Sequence, residues 1–427
     1  MRKEIKILLL VLFALSMLFL AFNRHSKYEA FHYRSEIFAD RAGYYVYLPA
    51  SIIYGFDALK FPVASDEKTG NGFRLDTTAN KVITKYTYGV ALLQFPFFML
   101  AHGLSIATEY HTDGFSFLYQ KSVDVAAVFY LFLGLFALFK LLNKRFTKLY
   151  SFIAVASVFT GTNLFYYAVI DTGMSHVYSF SMFSLYLLLL VNWDHFIGKQ
   201  LKYGLLLGIL AGIIVMLRPL NVLFILFSVF LIPEIFSWRF FTKHPIFAFL
   251  FFIAVVCIVM PQLFYWNYIS GSPFYYSYGD ESFSNILSPK IFELFIAPNS
   301  GHLLYNPIFT VFLSGVIWMM IDKQRYGWVS ALLLVVLSYL ISSWWIYNFG
   351  CGFANRNFVE YYALLAVPFA FLLNKPKPKI VQTGIYLAIL LFAIYNIKMS
   401  ISFDGCWYGK GDWDWSMYLH WLLNAPS

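Results

Sequence analysis

The chain has 427 residues, of which 60% are hydrophobic, 21% aromatic and only 12% charged, with a net charge of +9. Soluble domains carry about 25% charged residues, and no soluble fold of this length has interior enough for so much apolar surface. The composition therefore predicts an all-α polytopic membrane protein. Without a basic stripe, a recognition-helix pattern or a zinc spacing, the positive charge does not indicate nucleic acid.

The N-terminal Met-Arg-Lys-Glu-Ile-Lys precedes an apolar run from Ile7 to Phe22. Phe22-Asn23-Arg24-His25 lacks a small-x-small cleavage site, so the run reads as an uncleaved first helix. Further apolar runs follow at 88–107, 122–142, 149–168, 173–192, 203–217, 220–236, 245–266, 307–321, 327–343, 359–373 and 380–397. Whether 88–107 crosses the membrane is decided by charge. If it does not, six basic clusters share one side: Arg2/Lys3/Lys6, Lys140/Lys144/Arg145/Lys148, Lys199/Lys202, Arg239/Lys243, Lys323/Arg325 and Lys375/Lys377/Lys379. Positive residues in short loops favour the cytoplasm. The run 88–107 is therefore expected to lie in, or dip into, the outer interface. That leaves about eleven transmembrane helices, with the N-terminus cytoplasmic and the C-terminus outside.

Two segments result. Residues 1–397 form the transmembrane module, with a long first outer loop, 23–121, that carries interfacial helices. Residues 398–427 form a short outer tail. Function on a rigid scaffold sits in long loops, so the active face is expected on the periplasmic or extracellular side of a cytoplasmic membrane.

In chain order, the first candidates are Glu36 and Asp40, whose i, i+4 spacing would put both carboxylates on one helix face. Tyr44 and Tyr47 follow at helical spacing. The structural alternative is an interfacial helix whose acids pair with Arg34 or Arg41. Lys85, in Lys85-Tyr86-Thr87-Tyr88-Gly89, suits an anionic head group or simply snorkels. Asp171 is placed to cap the helix that begins near Met174, and His176 lies a turn deeper as a candidate core histidine. Arg218-Pro219 interrupts a stretch with no other charge from Tyr203 to Pro233. An arginine near the bilayer centre costs about 2.5–3.5 kcal/mol on insertion scales, so Arg218 requires an anionic partner. Lys290 and His302 stand in the second outer loop. Arg356, at the end of the third, offers a guanidinium suited to phosphate or a pair with Glu360. Cys351 and Cys406 both fall outside, where a disulfide would tie the tail to the third loop, and Cys257 is expected buried in its span. No P-loop, dinucleotide fingerprint, Gly-x-Ser-x-Gly elbow or His-Glu-x-x-His occurs.

The ordered set of Asp40 through Pro49, Lys85 to Gly89, Tyr166-Tyr167 to His176, Leu217 to Asn221, Ser288 to Pro307 and Trp344 to Arg356 resembles the GT-C superfamily of integral-membrane glycosyltransferases. The resemblance is to bacterial members related to protein mannosyltransferases and aminoarabinose transferases, over roughly residues 1–370. It implies an inverting transfer of sugar from a polyprenyl-phosphate donor to a glycan, lipid or protein acceptor. Asp40 would be the general base, with Glu36, Asp171 and His176 as helpers. Arg356, Lys85, Arg218 and His302 would bind the donor phosphate. No organic cofactor is implied. A divalent metal through Asp40, Asp171 and His176 is the less favoured addition. Relatives often carry two adjacent acids where this chain has Asp40-Arg41, and Lys-Pro-Pro where it has Lys85-Tyr86-Thr87. The competing classes are a flippase or exporter for a lipid-linked sugar and a ligase for whole lipid-linked glycans. A flippase would be expected to break its spans near the midplane in both halves.

Overall fold

The computed structural model describes residues 3–25, 30–193 and 199–424. Arg2 of the first basic cluster, the 26–29 stretch of the first outer loop and the last three residues of the tail lie outside the described residues. The first helix, α1, runs Lys3–His25. The first loop then holds α2 (Asp40–Tyr45), α3 (Tyr47–Ile52), α4 (Ser65–Lys68) and a short antiparallel hairpin of β1 (Arg74–Asp76) and β2 (Lys81–Ile83). Arg74 pairs with Ile83 and Asp76 with Lys81. Next come α5 (Gly89–Ala107), α6 (Phe117–Leu142), α7 (Lys148–Gly161), α8 (Leu164–Val169), α9 (Ser175–Leu190) and α10 (Gln200–Leu217). The second half holds α11 (Val222–Ser228), α12 (Trp238–Lys243), α13 (Pro245–Ser270), α14 (Ile291–Ile296), α15 (His302–Tyr305) and α16 (Phe309–Ile321). It ends with α17 (Arg325–Ser343), α18 (Tyr362–Asn374), α19 (Lys379–Ser402) and α20 (Trp415–Leu423).

Among the described residues, five helices are long and apolar enough to cross a membrane: α5, α6, α13, α17 and α19. The run at 220–236 is α-helical only over α11 before it breaks into turns. Most of α13 and α19 faces outward, with Phe249, Phe252, Phe264, Leu387, Leu390 and Leu391 exposed. A helix apolar on its outer face needs lipid around it. Cys257 is exposed on α13 rather than buried.

The basic connections gather at one end of the bundle. Lys144 and Arg145, after α6, line one cavity with Arg325 at the start of α17. Lys375, after α18, pairs with Asp322, after α16. The opposite end carries the long loops. There Lys121, near the start of α6, meets Glu36 and the ring of Phe22 near the end of α1. Both ends of α5 lie at this loop end. Gly89 abuts Met216 and Leu217 at the close of α10, and His102 Nδ1 lies 2.6 Å from Tyr119 Oη at the start of α6. By length and composition α5 also meets the requirement for a span.

The first loop has a small core of its own. Ile37, Tyr45, Phe61, Phe73, Phe98 and Phe115 pack together beside the bundle. This core fixes α2 against the hairpin.

Candidate active site

Asp40 opens α2 from a constrained backbone. Ala39 before it has φ 47° and ψ −127°, a region sparsely populated by residues with a Cβ. Such a residue costs about 1–3 kcal/mol and persists only where its surroundings hold it. Here the Ala39 N–H donates to Thr69 O at 2.7 Å, and its carbonyl accepts from Gly43 N at 3.1 Å. Gly72 lies so close that a Cβ there would sit 1.8 Å from Ala39 O. On the far side of α2, Thr84 Oγ1 donates to Gly43 O at 2.9 Å.

Both oxygens of Asp40 are engaged. Tyr86 Oη donates to Oδ1 at 2.5 Å and Arg356 Nη2 donates to Oδ2 at 2.7 Å. Tyr86 is fixed in turn. It packs on Tyr44 with centroids 4.3 Å apart, and its carbonyl accepts from Tyr47 Oη at 2.7 Å. Enclosure alone would raise the pKa of Asp40. The charge of Arg356, with the hydrogen bonds from Tyr86 and Arg356, outweighs it and holds the carboxyl below its ordinary value. Burial and the neighbouring Asp40 charge push the Tyr86 phenol well up, so it stays a donor.

Three cavities meet at Asp40. The first, about 440 Å³, is lined by Lys85, Arg218 and Arg356 on one side and by Leu223, Leu340, Trp344 and Trp345 on the other. The second, about 270 Å³, is lined by Arg24, Arg34, Arg41, Asp171 and Arg356, with the Cys351–Cys406 bridge in its wall. The third, about 390 Å³, lies over the hairpin and is lined by Asn71, Arg74, Thr84 and Tyr86.

Each cation of the large apolar cavity has its own carboxylate. Lys85 Nζ lies 2.5 Å from Glu281 Oε1. Arg218 Nη1 lies 2.9 Å from Glu360 Oε1, and Nη2 donates to Asn357 Oδ1. His176 Nδ1 stands 3.0 Å from the other Glu360 oxygen, so the histidine braces the acid that braces Arg218. The expected pair of Arg356 with Glu360 is not formed, because Arg218 takes Glu360 and Arg356 takes Asp40.

The other expected residues go elsewhere. Glu36 and Asp40 do not share a helix face, because α2 begins only at Asp40 and Glu36 lies in the preceding bends. Glu36 turns inward to Lys121, which also reaches Asp124. Arg41 pairs with Asp171 at 2.9 Å, and Arg34 pairs with Asp404, so neither holds Asp40. Asp171 does not cap α9 with its side chain; Met174 stands at that position without a side-chain cap. His302 is fully buried, 3.3 Å from Tyr362 Oη and with its ring centroid 4.2 Å from that of Phe358, away from the three cavities. Lys290 serves the loop through its backbone N–H, which donates to Ser342 O at 2.9 Å. Asp40, Asp171 and His176 do not converge, and among the described residues no three His, Cys, Asp or Glu side chains could hold a metal ion. Residue types alone did not single out Tyr86, Glu281, Asn357 or the Lys121–Asp124 pair. The last carried a signal, since two charges at the head of an apolar run require partners.

Cys351 and Cys406 form the disulfide, with Cα atoms 4.3 Å apart. The tail after α19 therefore belongs to the site: Phe403, Asp404, Gly405 and Cys406 wall the second cavity. The boundary expected at 397 falls inside α19.

No protein-family model and no curated protein matches the chain. Among solved structures it is similar to the oligosaccharyltransferase of Archaeoglobus fulgidus, crystallised tethered through a disulfide bond with an acceptor peptide containing the NVT sequon. The two share 12% identity and superpose with a TM-score of 0.52 over 91% of this chain. The match spans 54% of that protein, about half its length. The likeness is one of fold alone.

Proposed function

We propose that this protein is an inverting membrane glycosyltransferase that moves a sugar from a polyprenyl-phosphate donor to an acceptor hydroxyl or amide, with Asp40 as general base. The observation that carries this reading is the meeting of three cavities at one carboxylate. One of them pairs an apolar wall with three cations. The apolar wall suits a prenyl chain, and Lys85, Arg218 and Arg356 suit its phosphate. The other two cavities give an acceptor access to the same Asp40 oxygens.

In the reaction, Asp40 takes the proton of the acceptor as its oxygen or nitrogen bonds to C1 of the sugar. The bond from C1 to the phosphate oxygen breaks on the opposite face. The electron pair leaves with the polyprenyl phosphate, whose growing charge meets the cations. The sugar phosphate brings its own activation, so the reading requires no organic cofactor. No step is routed through a metal, since Asp40, Asp171 and His176 do not form a ligand cluster among the described residues.

The Cys351–Cys406 bond supports placing this end of the molecule outside the cytoplasm, where disulfides persist. The basic connections at the opposite end support the same orientation. The acceptor class is a glycan, a lipid or, as for the archaeal neighbour, a peptide. Asp40→Asn is expected to abolish transfer from a polyprenyl-phosphate sugar in reconstituted membranes while leaving the protein inserted and folded. Full turnover by that variant would remove Asp40 from the role of base.

A further inference from the structure

Arg356 touches both halves of the proposed chemistry. Only its Nη2 is bonded, to Asp40. Among the described residues no other hydrogen bond from its guanidinium is formed, and the side chain lines both the apolar cavity and the arginine cavity. The fork therefore has donors left over at the place where a phosphate would sit. Lys85 and Arg218 are also paired, but to Glu281 and Glu360. Of the three cations, only Arg356 is held by the residue that serves as base.

We infer that Arg356 is a two-position contact: it rests on Asp40 in the empty site and moves onto the donor phosphate when the donor binds, so that the base is released only with its substrate in place. This rests on the donor reading above. In the resting position Arg356 occupies an Asp40 oxygen that an acceptor proton would need. A dianionic or monoanionic phosphate next to Arg356 competes for the same fork, and guanidinium binds phosphate bidentately. Tyr86 keeps its hydrogen bond to the other Asp40 oxygen, so the carboxylate stays oriented when Arg356 leaves. Water then meets an occupied base while no donor is bound, and an acceptor meets a free one once the donor is in place.

The arrangement predicts a coupling that a fixed phosphate ligand would not show. If Asp40 and the phosphate compete for Arg356, removing the Asp40 charge frees the guanidinium and tightens phosphate binding. Affinity for a polyprenyl monophosphate would be measured in nanodiscs for the wild type, Asp40→Asn, Arg356→Gln and the double variant. Asp40→Asn is expected to bind about tenfold more tightly, the equivalent of about 1.4 kcal/mol. In the Arg356→Gln background the same change is expected to do little, because the gain passes through Arg356. Equal tightening with and without Arg356 would reduce the effect to plain charge repulsion and overturn the two-position contact. Unchanged or weaker binding by Asp40→Asn would overturn it as well. A wild type that binds no polyprenyl monophosphate would overturn the donor reading itself, and the contact with it.

Discussion

Asp40 is held by its neighbours in the ionised form, and that has a direction in pH. A depressed carboxyl stays charged as pH falls through the ordinary range near 3.9, so a base of this kind keeps working there. The acid limb of kcat/KM, which reports the free enzyme, is expected to lie below that range in the wild type. Arg356→Gln removes the largest group that lowers the Asp40 pKa, so the limb is expected to move upward. Tyr86→Phe should move it in the same direction by less. A limb that stays put in Arg356→Gln would mean that another group sets it. The same sign governs stability: the pair contributes above the unfolded pKa and its contribution is lost as pH falls through the folded one. The sequence made Asp40 legible as an acid in a tyrosine-rich segment but misplaced its companion. The i, i+4 spacing of Glu36 and Asp40 carries weight only on a continuous helix, and the positive φ of Ala39 ends that continuity. No composition signal marks an alanine for such a conformation, since glycine is the usual occupant.

At the scale of elements, the cations are aimed by helix ends. Arg218 follows directly on α10, whose axis is set by its contact with α13. Gly204, Gly208 and Gly212 form a small-residue stripe there. A Cβ on Gly204 would sit 2.6 Å from Phe247 O, and one on Gly208 would sit 2.3 Å from Phe251 O. Small residues let backbones approach closely in membranes, where apolar side chains gain nothing by leaving lipid. Gly208→Val is expected to force the helices apart, cost about 1–3 kcal/mol as overpacking does, and weaken phosphate affinity by displacing Arg218. Gly103 in α5 has nothing within 4 Å of a Cβ, so Gly103→Ala should leave both unchanged or gain about 0.5–1 kcal/mol. Melting temperatures in detergent, read beside polyprenyl-phosphate affinity, test the pair. The helix α5 itself was legible as the apolar run 88–107, and the structure gives it as Gly89–Ala107. The break of the 220–236 run after α11 was not legible, because its apolar residues continue past the helix end.

For the whole molecule, the loop end is one assembly rather than loops hung on a bundle. The third loop, the tail and the second loop are tied together. Tyr347 Oη donates to Asn299 O at 3.0 Å, Asn299 Nδ2 donates to Asp412 Oδ1 at 2.7 Å, and Arg34 of the first loop pairs with Asp404 of the tail. The disulfide closes this ring across 55 residues of sequence. The bond was legible in the sequence through topology, since both cysteines fall on one side; the place of the tail in this assembly was not. No periodicity marks the docking of α20 on α19, where Tyr395 and Tyr418 meet at their hydroxyls. A cross-link over a loop of that length is worth about 4 kcal/mol on the chain-entropy account. Cys351→Ser is therefore expected to lower the melting temperature. It also removes a wall of the arginine cavity while leaving the Lys85, Arg218 and Trp344 walls of the apolar cavity in place. Polyprenyl-phosphate affinity should then hold while transfer falls, because the bond walls the arginine cavity and not the apolar one. Mild reduction of the wild type should reproduce the variant, and reduction of Cys351→Ser should add nothing. A variant that loses affinity and transfer together would show that the bond shapes the whole loop end, not one wall of it.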